Sequence, residues 1–342
     1  PFKVYQIGRV WRGERQQAGR YREFLQCDVD IIGSSRIEAD AEIVAVLYET
    51  VKALGVTDFV IKVNNRKIMN GLMTYIGLDT ARAPAVFRAI DKLDKQTWDT
   101  VADELQETGL NSEQVSQLKT FFELRDAKKE KLLDGMQDTL RDSSEAREGV
   151  EELRKLALSL QAFGVPDNGW CIDPVVVRGL GYYTGPVFEI SLRGSEKIGS
   201  VGGGGRYDSL VERFSSAPVP ATGASIGFDR LFKSVKSLGL TKLKNKTQVI
   251  VLNFDDAARD SCLKVTTELR RAGISTELYL GQEDNLKGQL AYATKRDVPV
   301  VVIIGSEEQA KNTAQLKDMK KRKQFEVPVT NVVRKIEELL IC

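Results

Sequence analysis

Residues Arg22 to Ile32 read REFLQCDVDII, and side chains of different character alternate along this stretch. One set of alternate positions is apolar and the other mostly polar: Leu25, Cys27, Val29 and Ile31 against Phe24, Gln26, Asp28 and Asp30. A period of two is typical of a β-strand that covers a core with one face. Residues 4–15 are also strand-like, and residues 16–19 (QQAG) have turn composition. The sequence therefore predicts a β-hairpin with one polar face.

A helix and then a long charged region follow the hairpin. Residues 37–54 have helical spacing, and Gly55 is the predicted C-terminal cap. The predicted buried stripe of this helix is Ile43, Val46, Leu47, Val51 and Leu54. Residues 63–162 are charged and favour helices, so we interpret them as a helical insertion. The insertion would interrupt a domain made of residues 1–62 and 163–240.

The C-terminal third has a different organisation. Residues 241–246 are rich in lysine and predict a linker. Residues 247–342 then alternate short apolar strands with helical segments and end in a hairpin and a helix. This alternation predicts a small α/β domain with a mostly parallel sheet.

Composition excludes several classes of function. The chain contains no histidine, so catalytic triads, metal sites and acid–base catalysis that depend on histidine are excluded. A formal net charge of +2 means that an RNA partner would be held by local basic patches. The cysteines, Cys27, Cys171, Cys262 and Cys342, form no CxxC pair, which is typical of reduced thiols rather than of a zinc site. No apolar run reaches the roughly 18 residues of a membrane helix.

The predicted hairpin carries a cluster of charged and amide side chains: Arg12, Glu14, Arg15, Gln17, Arg20, Arg22 and Glu23. Arginines on adjacent strands and their turn can hold a polyphosphate through paired hydrogen bonds. Phe24, on the same face as Gln26, Asp28 and Asp30, suits an adenine shelf beside a pocket for a cationic or hydrogen-bonding ligand. A charged, solvated hairpin is the alternative, and composition alone favours it.

Three later segments are further candidate parts of a site. Residues 177–185 (VRGLGYYTG) place two tyrosines near Arg178, and an edge strand with glycines at its bends is an equally good reading. Residues 202–208 (GGGGRYD) are not a phosphate loop, because no GK[ST] follows, and a glycine run alone most often marks a flexible turn. Residues 223–231 (GASIGFDRL) present Arg230, and a packed junction between a strand and a helix is the alternative.

Together and in this order, these segments resemble the histidyl-tRNA synthetase family of class II aminoacyl-tRNA synthetases. The matching stretches are residues 10–30 (second class II motif), 178–185 and 203–208 (two histidine-specific signatures), 227–231 (third class II motif), and 286–290 with 304–307 (anticodon-binding domain). The resemblance covers essentially the whole chain. It implies an α+β class II catalytic domain, an antiparallel sheet with helices, followed by an α/β anticodon-binding domain at residues 247–342.

The resemblance also implies roles for individual residues. The implied ATP-binding residues are Arg12, Glu14, Arg20, Phe24 and Arg230. The implied histidine-binding residues are Arg12, Gln26, Asp30, Arg178, Tyr182, Tyr183 and Tyr207. The implied catalytic residues are Arg12 and Arg178, with Arg178 stabilising charge at the α-phosphate. Because the histidine carboxylate is itself the nucleophile, catalysis would consist of positioning and charge stabilisation, with Mg²⁺ carried by ATP.

The implied reaction is the ATP-dependent ligation of histidine to tRNA(His) through a histidyl-adenylate. ATP and Mg²⁺ are the implied cofactors, and tRNA(His), L-histidine and a second copy of the chain in a homodimer are the implied partners. No membrane is expected, and a cytoplasmic location is expected with an organellar one left open. The alternative is a non-catalytic tRNA sensor or regulatory subunit. The C-terminal domain and the presence of Arg12, Gln26, Arg178 and Arg230 argue against it.

Three departures from the family pattern affect these expectations. The chain begins Pro1-Phe2-Lys3, from which we expect an N-terminal truncation that removes the first class II motif and part of the dimer interface. Gly181 replaces the usual aspartate of the first histidine-specific signature. Asp229 replaces the usual glutamate before Arg230.

Overall fold

The structure is a computed structural model that describes residues 1–13, 15, 19–79, 82–177, 181–213, 218–240 and 246–341. The chain forms two compact units, residues 1–241 and 242–342. Among the described residues, no helix is both long and apolar enough to cross a membrane.

A seven-stranded sheet organises the described part of the first unit. Its strands are β1 (Phe2–Trp11), β2 (Glu23–Ile32), β3 (Phe59–Asn65), β4 (Trp170–Ile172), β5 (Pro186–Leu192), β6 (Gly202–Arg206) and β7 (Ala221–Gly227). The spatial order is β1-β2-β7-β6-β5-β3-β4. All neighbours pair antiparallel except β3 and β4, which are parallel. The α+β class II fold class is thus confirmed for this unit.

Helices pack on this sheet and fill the stretch between β3 and β4. They are α1 (Ile37–Ala53), α2 (Arg66–Tyr75), α3 (Ala83–Ile90), α4 (Trp98–Glu107), α5 (Ser112–Glu123), α6 (Lys129–Thr139), α7 (Ser144–Ala162) and α8 (Phe228–Ser237). One apolar core runs through the sheet and these helices. Helices α2 and α7 pack closely because Gly71 lacks a side chain; a Cβ there would lie 2.5 Å from the Cβ of Ala146. The subdivision into residues 1–62, 63–162 and 163–240 stays a prediction.

The first hairpin and the helix after it follow the predicted pattern with one correction. Strands β1 and β2 pair from Phe2 with Ile32 to Trp11 with Glu23, and residues 16–18 of the predicted turn lie outside the described residues. In α1 the predicted stripe was wrong at Val46 and Leu54, which are 39% and 61% exposed, whereas Val44 is fully buried. The reason is that α1 packs against both the sheet and α7, and that Leu54 lies beyond its last turn.

The glycine run forms β6, between β5 and β7 in the middle of the sheet. The alternative reading of this run, a flexible turn, is therefore wrong. A Cβ at Gly204 would lie 2.5 Å from the Cα of Ala224, and one at Gly205 would lie 2.6 Å from the carbonyl oxygen of Pro186. Close approach of neighbouring backbones, rather than a need for flexibility, accounts for glycine in this strand.

The second unit contains a five-stranded sheet of order β12-β11-β10-β8-β9 in its described residues. The strands are β8 (Val249–Val251), β9 (Thr276–Leu278), β10 (Val300–Ile303), β11 (Thr313–Asp318) and β12 (Lys323–Pro328). The helices are α9 (Arg259–Arg271), α10 (Leu286–Lys295), α11 (Ser306–Lys311) and α12 (Val332–Ile341). Separate apolar clusters cover the two faces: Val249 and Val251 pack with residues of α9 and α12, while Ile250 packs with Ala293 of α10.

The α/β fold class of this unit is confirmed, but the prediction of a mostly parallel sheet was wrong. Strand β8 pairs parallel with β9 and β10, while β11 pairs antiparallel with both β10 and β12. Only residues 319–322 join β11 to β12, and so short a connection permits only antiparallel pairing.

Candidate active site

The face of the first sheet away from α1 is the floor of a cavity of about 1100 Å³. Because register partners in neighbouring strands project to the same side, the floor can be read from the pairing. Ser225, Gly203, Glu189 and Lys62 form one continuous row of partners across β7, β6, β5 and β3, and all four line the cavity. The polar face of β2, which the sequence predicts, continues this floor through Gln26.

One end of the cavity combines an aromatic ring with cationic side chains. The guanidinium carbon of Arg12 lies 5.2 Å from the centroid of the Phe24 ring. Arg12 also donates a hydrogen bond of 2.8 Å to the Gln26 side-chain oxygen. Arg20 and Arg230 line the same cavity, and Arg230 donates to the backbone oxygen of Ser200 at 3.1 Å. A ring edged by several arginines suits a ligand that joins a flat base to an anionic chain.

Two tyrosines line another part of the cavity, and Asp30, on the same face of β2 as Gln26, bonds to a third tyrosine. The rings of Tyr182 and Tyr183, both in the cavity wall, have centroids 4.2 Å apart. The Tyr207 hydroxyl donates a short hydrogen bond to Asp30. Burial raises the pKa of Asp30, the Tyr207 bond partly opposes this, and Asp28 adds to it. Burial and then Asp30 raise the pKa of Tyr207. The phenol therefore stays protonated, and the carboxylate can accept a hydrogen bond from a small polar ligand.

A buried ion pair joins the second histidine-specific signature to α1, and hydrogen bonds join the two signatures to each other. The Arg206 guanidinium, 3% exposed, donates to Asp40 of α1 and to the backbone oxygen of Ser34 at 2.9 Å. Thr184 accepts a hydrogen bond of 3.1 Å from the backbone N–H of Asp208 and donates to its carboxylate at 3.0 Å. These contacts fix the backbone on both sides of the tyrosines, so Tyr183 and Tyr207 are held on a rigid frame.

A ring of alternating charges in the cavity wall was not predicted. Lys62 lies 2.7 Å from Asp94 and 3.1 Å from Asp173, and Arg125 lies 2.5 Å from Asp94 and 2.6 Å from Asp173. Lys62 and Asp173 belong to the sheet and the segment after β4, whereas Asp94 and Arg125 lie in the helical region. Burial alone would raise the pKa of Asp94, but its bonds to Lys62 and Arg125 outweigh burial and lower it.

A signal in the sequence could have identified part of this wall. Strand β3 reads FVIKVNN and β5 reads PVFEISL, and each contains one charged residue among apolar ones. These residues, Lys62 and Glu189, are register partners and both line the cavity. Asp94 and Arg125 lie in charged helical sequence where nothing local distinguishes them.

The structure brings most of the predicted site residues together on one face. Arg12, Arg20, Phe24, Gln26, Tyr182, Tyr183 and Arg230 line the cavity, and Asp30 and Tyr207 bond to each other on β2 and just after β6. Glu14 and Arg178 lie outside the described residues, so their roles stay predictions.

Gly181 has a φ of +110°, a conformation that L-residues rarely adopt, which suits glycine where the family has aspartate. In the described part of the chain, no group of three or more Cys, Asp or Glu side chains could hold a metal ion.

Two family models match the chain. The model described as histidyl-tRNA synthetase matches residues 1–231, and an anticodon-binding-domain model matches residues 247–339. A histidine–tRNA ligase from Ruegeria pomeroyi is 38% identical, and the alignment covers 99% of this chain and 77% of the relative. A histidine–tRNA ligase from Paracoccus denitrificans is 40% identical, with 93% and 69% covered.

Solved structures agree with these matches. The crystal structure of histidyl-tRNA synthetase from Nostoc sp. PCC 7120 superposes with a TM-score of 0.74 at 33% identity, covering 99% of this chain and 78% of that one. A structure from Bacillus halodurans, titled as an ATP phosphoribosyltransferase regulatory subunit/histidyl-tRNA synthetase, has a TM-score of 0.64 at 22% identity, covering 90% and 74%, and shows the fold alone. A family model over residues 1–231 and relatives that are 38% and 40% identical show that the chain belongs to the histidyl-tRNA synthetase family.

Proposed function

We propose that the chain catalyses the ATP-dependent ligation of histidine to tRNA(His) through a histidyl-adenylate. The observation that carries the proposal is the single cavity that combines Arg12 and Phe24 at one end with Tyr182 and Tyr183 at the other. Such a cavity can hold a nucleotide and an amino acid with their reacting groups adjacent. Membership of the family and near-complete coverage of histidine–tRNA ligases support the same reaction.

The arginine-edged end would bind ATP. Phe24 would stack on the adenine ring, which Glu14 would also contact, while Arg20 and Arg230 would hold the outer phosphates. Arg12 would bridge the α-phosphate and the substrate carboxylate, and its bond to Gln26 keeps the guanidinium in place. Magnesium would enter as part of MgATP, because Mg²⁺ favours phosphate oxygens together with one or two carboxylates. Glu189 on the cavity floor is a carboxylate within this setting.

The tyrosine end would bind histidine. Asp30 and Gln26 offer hydrogen-bond acceptors, and Tyr182, Tyr183 and Tyr207 would enclose the imidazole ring. The histidine carboxylate would attack the α-phosphorus, forming the acyl–phosphate bond as the bond to pyrophosphate breaks. Arg178 would stabilise the charge that develops there, a contribution comparable to one oxyanion-hole donor at about 2.7–4 kcal/mol. No side chain needs to remove a proton.

Larger partners follow from the same proposal. The second unit would bind the tRNA(His) anticodon, in keeping with the family model that it matches. Its basic residues around the β11–β12 turn, Lys317, Lys320, Lys321, Arg322 and Lys323, could contact phosphates. We also propose a homodimer and a cytoplasmic location. Strand β1 is an edge strand on which Tyr5, Ile7 and Trp11 are 77%, 68% and 68% exposed, and such edges favour association.

Amino-acid-dependent exchange between ATP and pyrophosphate tests the reaction. Exchange with histidine alone among the twenty amino acids, followed by charging of a tRNA(His) transcript, is the expected result. The Arg178→Ala variant should slow exchange on the order of 10²–10³-fold. Arg36→Ala, whose side chain is 77% exposed, is the control and should exchange normally. Histidine binding without any exchange would instead favour the regulatory alternative.

A further inference from the structure

Two glycines lie side by side on the same sheet face as the cavity floor, two residues along from Gly203 and Ser225. Gly205 of β6 is the register partner of Gly223 of β7, and Gly223 is in turn the partner of Asp30 of β2. Because partners in adjacent strands project to one side of a sheet, this row presents bare backbone next to Asp30.

Two proposed substrate-binding side chains lie over this bare backbone from opposite directions. A Cβ on Gly223 would overlap the carboxylate of Asp30, and it would lie 2.6 Å from the Asp30 Cγ and 2.8 Å from the Val29 carbonyl oxygen. A Cβ on Gly205 would lie 2.6 Å from the Pro186 carbonyl oxygen and 3.0 Å from the Tyr183 ring. The Asp30 carboxylate can therefore occupy its position only because Gly223 lacks a side chain, and a side chain at Gly205 would crowd the Tyr183 ring as well as the neighbouring backbone.

Backbone conformation does not explain these glycines. Both lie inside regular strands, and neither has a positive φ. Glycine in a strand interior costs conformational entropy and offers nothing to pack, so folding alone would favour alanine at a site with space for it. The space above Gly223 is instead occupied chiefly by the Asp30 carboxylate, and the space above Gly205 by the Pro186 carbonyl oxygen and the Tyr183 ring.

We propose that Gly205 and Gly223 are specificity-determining positions that form the floor of the amino-acid end of the site. Because the floor has no side chains, the Asp30 carboxylate can lie close to the sheet. There it accepts the hydrogen bond from the Tyr207 hydroxyl and faces a flat substrate side chain that donates a hydrogen bond. A methyl group on Gly223 lifts Asp30 from this position, so the affinity for such a side chain falls while the nucleotide end is unaffected. The inference rests on the proposed function, since it specifies which part of the cavity recognises the amino-acid side chain.

The variant that tests this is Gly223→Ala. Because a misplacement of about 1 Å can cost about 10²-fold in rate, kcat/KM for histidine in pyrophosphate exchange should fall by about that factor, with the KM for ATP within about twofold of wild type. Gly8→Ala is the matched control: Gly8 also lies in a strand of this sheet, and its Cβ would approach only Gln6 Nε2, at 4.0 Å. It should leave both constants unchanged.

Because the new methyl also approaches the Val29 carbonyl, a general disturbance of the sheet must be separated from an effect through Asp30. In an Asp30→Ala background the carboxylate is gone, so adding Gly223→Ala should change kcat/KM for histidine by less than about threefold. An undiminished loss in that background would overturn the proposal. Gly205→Ala, which crowds Tyr183 instead, is a second variant in case Gly223→Ala does not fold, and it should show the same selective loss for histidine.

Direct titration of histidine by calorimetry, without ATP, distinguishes failure of this inference from failure of the proposed function. Wild-type protein that binds histidine, together with a Gly223→Ala variant that binds it equally well, would overturn the inference and leave the function intact. Wild-type protein that neither binds histidine nor exchanges pyrophosphate would overturn both.

Discussion

Replacing Asp173 by asparagine is expected to destabilise the first unit, because Asp173 is the most buried of the four side chains in the ring of charges. Its side chain is 3% exposed and accepts hydrogen bonds from Arg125 at 2.6 Å and from the Val175 backbone at 3.1 Å, with Lys62 at 3.1 Å. An asparagine keeps the size of the side chain but removes its charge. Two cations then share the single remaining carboxylate, that of Asp94.

The magnitude follows from the exposure of the ring. Breaking a fully buried ion pair costs about 3–5 kcal/mol. Here Lys62 keeps 14% of its side-chain surface and Arg125 keeps 31%, so water screens part of the loss, and we expect about 2–3 kcal/mol. For a unit of this size each kcal/mol lowers the melting temperature by about 2–4 °C, which gives a decrease of about 4–12 °C.

Urea unfolding followed by tryptophan fluorescence measures the free-energy change. The matched control is Asp167→Asn, which removes an equally short ion pair, 2.5 Å from Lys129, at a carboxylate that is 93% exposed. A surface pair of this kind contributes about 0–1 kcal/mol. Equal losses for the two variants, within about 0.5 kcal/mol, would refute the argument that burial gives the ring its stabilising effect.

Two further predictions concern the buried arginine pair and the nucleotide end. Burial raises the pKa of Asp40 to about 6, and Arg206 opposes this shift only in part. This pKa lies above the value of about 3.9 in the unfolded chain. Between these two pH values, the folded state therefore binds a proton at Asp40 that the unfolded state has lost. The contribution of Asp40 is therefore fully present below about pH 4 and is lost as the pH rises to about 6. The unfolding free energy of wild type minus that of Asp40→Asn should fall over this window, and a flat difference would contradict the assignment. Phe24→Ala should raise the KM for ATP by about 5- to 150-fold, because stacking contributes about 1–3 kcal/mol per base. The KM for histidine is the internal control, and an unchanged KM for ATP would exclude Phe24 as the adenine shelf.

The sequence predicted those parts of the site that lie in regular strands. Alternation in β2 places Gln26 and Asp30 on one face, and the register of the sheet aligns that face with the rest of the cavity floor. The charge ring could not be predicted in the same way. Its members Asp94 and Arg125 are brought to Lys62 by the folding of the helical region, and their positions depend on helix packing that no local pattern encodes.

At the glycine run, residues 202–205, the local sequence favours a structure that the fold does not have. Locally, four consecutive glycines favour a turn, because glycine has a poor strand propensity. In the folded chain, Gly204 is forced to be glycine by Ala224 on the adjacent strand, about twenty residues later in the sequence. Tertiary contact thus overrides local preference at this position.

The position of β7 also has a consequence for how the protein is made. Strand β2 begins at Glu23, but β7, its neighbour in the sheet, ends at Gly227. At synthesis rates of about 5–20 residues per second, the first hairpin leaves the ribosome about 10–40 s before its partner strand exists. During that interval the edge of β2 that later pairs with β7 has no partner strand. The sheet that forms the cavity floor can therefore close around β2 only after the whole helical region between β2 and β7 has been synthesised.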